Sequence, residues 1–336
     1  VPPSAEAPHA PAVVVVTWQG GALVERCVRS LQSQTLPPRQ IMVVVTSADP
    51  TLAPSGVDSR VTAGPCGFAR GANLGIQAVR PLRGPHTDVV LLNDDTVADG
   101  RFIEQLVAAR RTTGEGLYQP RILLADASGR LDNTGHRLFA DGFNLARGRG
   151  RSDSTLHEAE AGAFSGAAVM ITGGVLDDVG LFDEDLEAFG EDVDLSLRAV
   201  RRGYRVHYVA DARIEHVLGA SYGRADARKV FLVERNRMRV AVRSMPASAL
   251  ATMPLWTGLR LAGLGLAAST GRGIGADVGW RGVVATVAGT AAGLAALPDA
   301  IVKRRTDARR WALGERAMWG HLLRHRVRTE DLLGRA

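Results

Sequence analysis

The sequence predicts an α/β fold: a mostly parallel central sheet, then an apolar helical pair and a basic tail. Three observations carry that reading. Ala12–Thr17, Ile41–Val45 and Asp88–Leu92 are short runs dominated by Val, Ile and Leu, the pattern of strands buried on both faces. Helical periodicity separates each run from the next, and strands alternating with helices make a parallel sheet covered on both sides. Composition then shifts near Ser244, where long uncharged stretches begin.

The elements follow in order. Residues 1–11, VPPSAEAPHAP, form a Pro/Ala-rich lead without the basic start and apolar stretch of a signal peptide, and read as flexible. Ala12–Thr17 is the first strand. Leu23, Cys27, Val28 and Leu31 then stand at helical spacing, and Pro37-Pro38 stops that helix. Ile41–Val45 is a strand, Phe68–Val79 a helix, Asp88–Leu92 a strand and Arg101–Arg111 a helix. Residues 121–160, rich in Gly, Asp and Arg, read as hairpins and a mobile loop, with the apolar-free GRGRSDST at 148–155 as loop. Ala167–Ile171 is a strand, and Asp192–Arg202 a helix ended by Gly203. Tyr204–Val209 and Ala212–His216 are two short strands, and Ala225–Arg243 is an Arg-dense helix.

This places one domain at 12–243, an apolar hairpin at 244–302 and a basic tail at 303–336. The runs Ser244–Leu259, Leu261–Gly271 and Gly282–Leu297 carry no charge, and a spanning helix needs about 20 apolar residues. Arg235, Arg237, Arg239 and Arg243 precede the pair, and Lys303, Arg304, Arg305, Arg309 and Arg310 follow it. Basic residues at both outer ends suit a membrane hairpin with cytoplasmic ends. A helical pair packed on the main domain is the alternative.

Composition excludes several classes. With 46% apolar residues among 336, the chain builds a core rather than remaining disordered. Two cysteines, Cys27 and Cys66, exclude a disulfide scaffold and a multi-cysteine zinc site, and read as free thiols of a reducing compartment. The net charge is +6, but residues 301–336 hold ten basic and four acidic side chains, so residues 1–300 balance. The excess belongs to a tail, not to a nucleic-acid-binding body, and 5% aromatic content is poor for base stacking.

Three constellations carry chemistry. Asn93-Asp94-Asp95 follows a buried strand, where ligands of open α/β sheets bind. Adjacent carboxylates there suit Mg²⁺ or Mn²⁺ shared with phosphate, or an Asp that caps the next helix. Glu191, Asp192 and Asp194 open a helix, where acids complement the dipole by about 0.3–1 kcal/mol each, or where one serves as a general base. His216 ends a short strand, as a structural imidazole or as a metal ligand beside carboxylates.

Together with VVVVTW, IMVVV, GFARGANLGI (67–76), VVLLNDDT (89–96), GAFSGAAVMI (162–171), VGLFDEDLEAFGEDVDLSLRAVRRGYRV (179–206), RIEHVLGAS (213–221) and VERNRMRV (233–240), these residues resemble a family 2 glycosyltransferase of the GT-A fold. The resemblance is closest to the rhamnosyltransferase-like branch and spans about residues 12–243. It implies an inverting, metal-dependent transfer of sugar from a nucleotide-diphosphate donor to a hydroxyl. Asp192 would be the catalytic base, Glu191 its acidic neighbour and Asp194 the next candidate. Asp95 and His216 would hold the divalent cation. Thr17, Trp18, Gly67, Phe68, Ala69, Gly71, Asn73, Asn93 and Asp94 would shape the nucleotide and donor pocket. Gly166, Ala167, Arg235 and Asn236 would serve the sugar or the acceptor.

One departure stands out: Thr46 occupies the place where many members carry an Asp that contacts the base, and Asp49 lies three residues on. The apolar pair and tail suggest a lipid-linked or cell-envelope acceptor at the cytoplasmic face of the membrane. Two other classes compete. A non-catalytic nucleotide- or glycan-binding module would have no need of a base. A nucleotidyltransferase would carry a Lys/Arg phosphate loop where this chain reads TWQGG.

Overall fold

The structure is a computed structural model that describes residues 10–62, 64–83, 87–152, 158–217, 226–271 and 278–328. Residues 1–9 of the lead, 153–155 of the loop candidate, Ala225, Arg272, Asp277 and the end of the tail from 329 lie outside the described residues.

The first strand, β1 (Ala12–Thr17), is buried throughout. Its neighbours β2 (Gln40–Val45), β3 (Asp58–Val61) and β4 (Val89–Asn93) run parallel to it in the order β3-β2-β1-β4. Alternation along β1 feeds two cores. Val13 and Val15 pack with Val24, Cys27, Val28 and Leu31 of α1 (Gly21–Gln32) and with Phe102, Ile103 and Leu106 of α3 (Phe102–Thr113). Val14 and Val16 pack with Ala69, Ala72 and Ile76 of α2 (Phe68–Arg83). Helix α1 ends at Gln32, five residues before Pro37, with Ser33 as its C-cap.

The glycines of GFARGANLGI explain how closely α2 lies on the sheet. A Cβ at Gly75 would sit 2.3 Å from Val14 Cγ1, and one at Gly71 would sit 2.6 Å from Thr46 Cγ2. Two glycines one helical turn apart bring the helix against β1 and β2.

Beyond β4 the sheet becomes mixed. It continues through β10 (Ala168–Ile171), β6 (Leu117–Leu124), β11 (Val206–His216) and β5 (Thr96–Ala98), with β7 (Leu131–Asn133) also on β6. Strand β10 is antiparallel to β4 and β6, β11 is parallel to β6, and β5 and β7 are antiparallel to their partners. The predicted pair of short strands is one strand, β11, whose register against β6 shifts between Val209 and Arg213. The shift begins where Val209 faces Pro120, a residue with no N–H to donate. The hairpin region also contains β8 (His136–Leu138) paired with β9 (Asn144–Ala146).

Helices α4 (Gly173–Val179), α5 (Glu191–Arg201) and α6 (Ala227–Ser244) complete the part that carries the motifs. The apolar segment forms α7 (Ala247–Thr270) and α8 (Gly279–Ala295), and the predicted tail is folded as α9 (Leu297–Ala308) and α10 (Glu315–Arg324). Helix α8 lies on α6 through its small face: a Cβ at Gly289 would meet Phe231 O at 2.6 Å, and one at Gly293 would meet Met238 Sδ at 2.9 Å.

Several basic side chains of the tail are engaged within the fold. Lys303 pairs with Asp183, Asp185 and Asp299 at 2.7–3.0 Å. Arg304 donates to Val242 O and Met245 O, and Trp311 stacks with both Arg201 and Arg304. No single helix among the described residues is long and apolar enough to cross a membrane; α8 and α9, bent by 55°, meet that requirement only as a pair.

Candidate active site

The carboxyl ends of β1, β2 and β4 lie at one edge of the sheet, and a cleft of about 950 Å³ opens there. Of the predicted residues, Trp18, Thr46, Gly67, Phe68, Asn93, Asp94, Gly166, Ala167, Glu191, Asp192 and His216 line it. Antiparallel β10 brings Gly166 and Ala167 to this edge just before its first residue. The short turn from β4 into β5 brings residues 94–96 to His216, which pairs with Thr96 at the end of β11, and Val217 N donates to Asp95 O at 2.9 Å. Asp192 and His216 thereby reach the cleft from separate parts of the chain, with Asp95 beside His216.

On the β1–β4 side, Thr17 is buried beneath the wall. Its hydroxyl donates to Asp94 Oδ2 at 2.5 Å and accepts from Gly20 N at 2.9 Å. Thr46 donates to Thr17 O at 3.1 Å. Trp18 is 45% exposed and presents a large apolar face at the cleft. Burial raises the Asp94 carboxyl above its ordinary value, the Thr17 hydroxyl lowers it and the Asp95 charge raises it again.

Asp95 is buried behind Asp94 and does not line the cleft. Its Oδ1 lies 3.2 Å from His216 Nε2 but has no aligned donor, while His216 Nδ1 meets Asp132 Oδ2 at 2.8 Å. Burial disfavours the charged His216 ring, but the Asp132 and Asp95 carboxylates outweigh it and raise the imidazole to about 9. Among the described residues no three His, Cys, Asp or Glu side chains already surround one point as metal ligands. The donor set nevertheless suits a hard divalent cation. It is carboxylate oxygen plus one imidazole, and it includes a buried carboxylate oxygen that lacks a donor.

The opposite wall is the start of α5. Gly190, with φ of 99°, turns the chain into the helix in a left-handed conformation. Asp192 Oδ2 accepts from Gly166 N at 2.9 Å and contacts His136 Nε2 at 3.3 Å; Oδ1 accepts from Val193 N at 2.8 Å. Burial pushes this carboxyl up, but the His136 ring and the Gly166 and Val193 amides hold it below the ordinary range. Glu191 behaves oppositely: burial first, and the Asp192 charge next, raise it well above its usual value. The pair therefore divides: Asp192 is held toward its charged form and Glu191 is pushed toward its neutral one.

Several predicted residues lie elsewhere. Asp194 is buried and bonded to Arg198 at 2.7 Å and Arg243 at 3.2 Å, which makes it part of the helix packing. Gly71 is the close contact of α2 described above. Ala69 is buried, its amide donating to Glu187 O at 3.0 Å. Asn73 is also buried, where its amide clamps Phe182 N and O at 3.0 Å each. Asp49 caps the turn at Pro50–Leu52 by accepting from Thr51 N at 2.9 Å. Arg235 and Asn236 hold the loop before α5: Arg235 pairs with Glu187 at 2.8 Å, and Asn236 donates to Leu186 O, Ala188 O and Phe189 O. That loop needs holding, because Glu187 and Phe189 have φ of 61° and 66°, sparsely populated for such residues.

Sequence reasoning missed Asp132 and His136, which reach the cleft from β7 and β8. Their one signal was the string LDNTGHRL, polar residues beside a Gly whose φ is 100°.

The profile of Glycosyltransferase like family 2 matches residues 8–242. No curated protein matches the chain. Two solved structures are similar in fold. GalNAc-T7 with UDP, GalNAc and Mn²⁺ has a TM-score of 0.54 and 16% identity over 71% of this chain. TarS 1-349 of S. aureus in complex with UDP has a TM-score of 0.50 and 14% identity over 93% of this chain and 91% of its own. The chain spans about half the length of the GalNAc-T7 chain, 48% of it. With more than half its length under that profile, and with the α/β sheet and strand-end cleft of a GT-A fold, the chain belongs to the family 2-like glycosyltransferases.

Proposed function

We propose that this protein is an inverting glycosyltransferase that moves a sugar from a nucleotide-diphosphate donor to a hydroxyl of a lipid-linked or cell-envelope glycan. The observation that carries the reading is the setting of Asp192: a carboxylate on the cleft wall, held by Gly166 N, Val193 N and the His136 ring and facing the same space as Trp18 and Asp94. The acceptor hydroxyl gives its proton to Asp192 as its oxygen bonds to the anomeric carbon. The bond from that carbon to the diphosphate oxygen breaks, and the nucleoside diphosphate leaves with the electron pair. Trp18 offers a flat face for the base, and Thr46, which stands where an Asp is common, offers a methyl and a hydroxyl.

Asp94, Asp95 and His216 would hold a divalent cation, Mg²⁺ or Mn²⁺. When bound, such an ion neutralises charge developing on a departing diphosphate. Support for the cation comes from the oxygen-rich donor set, and from a fold neighbour solved with UDP and Mn²⁺.

The acceptor reading rests on the helices after residue 244. Leu255, Leu259 and Leu266 on α7 and Trp280, Val284, Val287 and Leu294 on α8 are each more than half exposed. Arg281, Arg305 and Arg309 are exposed among them, while Asp299 and Asp307 are ion-paired. An apolar face with cationic residues and, among the described residues, only ion-paired acids suits the anionic cytoplasmic leaflet. Hydrolysis of UDP-, dTDP- and GDP-linked hexoses, rhamnose included, with Mg²⁺ or Mn²⁺ tests the function. Turnover of one of them, abolished in Asp192→Asn, is expected; no release from any donor overturns the reading.

A further inference from the structure

We propose that His136 is a positioning residue for the base: its Nε2–H donates to Asp192 and fixes the orientation and charge of that carboxylate for proton abstraction. The inference rests on Asp192 being the base. His136 stands on the cleft wall with 13% of its side chain exposed, and Asp192 is the one hydrogen-bond partner of its ring among the described residues. Nδ1 is buried without a partner. A proton on Nε2 therefore satisfies the contact with the carboxylate, whereas one on Nδ1 would be buried with no acceptor.

The strand beneath the ring is braced from several directions. His136 N donates to Ala163 O at 2.7 Å, and Gly162 N donates to His136 O at 3.1 Å. Gly135 is left-handed, and a Cβ there would lie 2.4 Å from Ala161 Cβ. Arg137 is buried and bonded to Glu158 at 2.8 Å. After α10 the chain adds to β8, with Leu138 N donating to His325 O at 2.8 Å and Val327 N to Leu138 O at 3.1 Å. A ring held this firmly costs little further entropy when it orients its partner.

The ionisable groups on the elements round it include Asp132 of β7, Arg149 paired with Asp132, Glu191 of α5, His216 of β11, Arg237 of α6 and His325 after α10, and among the described residues none of these hydrogen-bonds to the ring. Against the upward push of burial on Asp192, this ring is the foremost group that lowers it. Loss of the ring therefore moves Asp192 to a higher value and lets it turn.

The test uses the full chain and whichever nucleotide hexose of the panel above it turns over. His136→Ala is expected to lower kcat at least tenfold, leave the donor KM within about twofold and move the acid limb of the kcat/KM profile to higher pH. His136→Gln, which keeps an N–H within reach, restores the limb and most of kcat. Unchanged kcat and acid limb in His136→Ala overturns the proposal, as does an equal loss in both variants with the limb unmoved. Should the Ala variant fail to fold, ring ¹⁵N spectra of the wild-type chain decide. A neutral Nε2–H tautomer perturbed by Asp192→Asn supports the role, and an Nδ1–H tautomer indifferent to that change overturns it. Full turnover in Asp192→Asn would remove the base itself, whereas an inactive Asp192→Asn beside a normal His136→Ala removes only the positioning role.

Discussion

At the scale of single residues the candidate site is a contrast between two adjacent acids. Asp192 and Glu191 share a helix turn, yet one is held low by donors and the other is held high by burial. Asp192→Asn should reduce turnover by about 10²–10⁴ while nucleotide binding, read by calorimetry with UDP and other nucleoside diphosphates, persists. Glu191→Gln should raise the melting temperature at pH 8. A carboxyl raised above its unfolded value contributes stability in full below that unfolded value and loses it as pH rises through the folded one. Glutamine mimics the protonated form and does not lose it, so the difference from wild type grows between pH 4 and pH 8. Equal melting curves across that range would refute a raised Glu191.

The residue scale was also where the sequence was least complete. Asp192, Asp94 and His216 were legible because they sit in dense strings of unusual polar residues at strand and helix ends. His136 and Asp132 were not, because they lie on strands of three residues whose pairing depends on contacts far along the chain. Asn73 and Asp194 were legible as polar residues in meaningful strings, but a string does not say whether a side chain turns to the cleft or to a neighbouring helix. Asp194 turned to Arg198 and Arg243, whose guanidinium groups satisfy it in the interior.

At the scale of elements, the buried strands β1, β2 and β4 and helices α3 and α5 were readable because period and composition agree. Strand β6 was obscured by Pro120, and β11 was read as two pieces because the residues opposite that proline break the register. Of the two glycines of α2, Gly71 was read as pocket-forming, and it and Gly75 both act by close approach to the sheet. Gly75→Ala should destabilise the fold by about 1–3 kcal/mol, since the added methyl meets Val14, which is fully buried in the sheet. Urea denaturation at fixed m-value would show it, and an unchanged midpoint would mean that α2 shifts freely.

At the scale of the whole molecule, the boundary drawn at residue 243 divides an interface rather than a linker. Helix α8 covers α6 through Gly289 and Gly293, and Arg201 on α5 donates to Ser244 O at 2.9 Å and Leu313 O at 3.1 Å. A chain ending at Arg243 should therefore fail to give a cooperative thermal transition, while the chain through Arg328 should keep one. The apolar faces of α7 and α8 make a separate expectation. The full chain should float with vesicles of phosphatidylglycerol and phosphatidylcholine, and Leu259→Asp with Val284→Asp should release it without lowering the melting temperature. Retention of the double variant on vesicles would remove this face from the membrane reading.

The mixed sheet has a further consequence. Because β10 runs against β4, the rim of the cleft is built from the last residues of some strands and the approach to another, at or beyond the limits of the hydrogen-bonded ladder. Changes in chain length at those junctions can remodel what the rim admits without disturbing a rung of the ladder. Selectivity and robustness are thus written in separate parts of the polypeptide, so a lineage can diversify its substrates while its scaffold stays still.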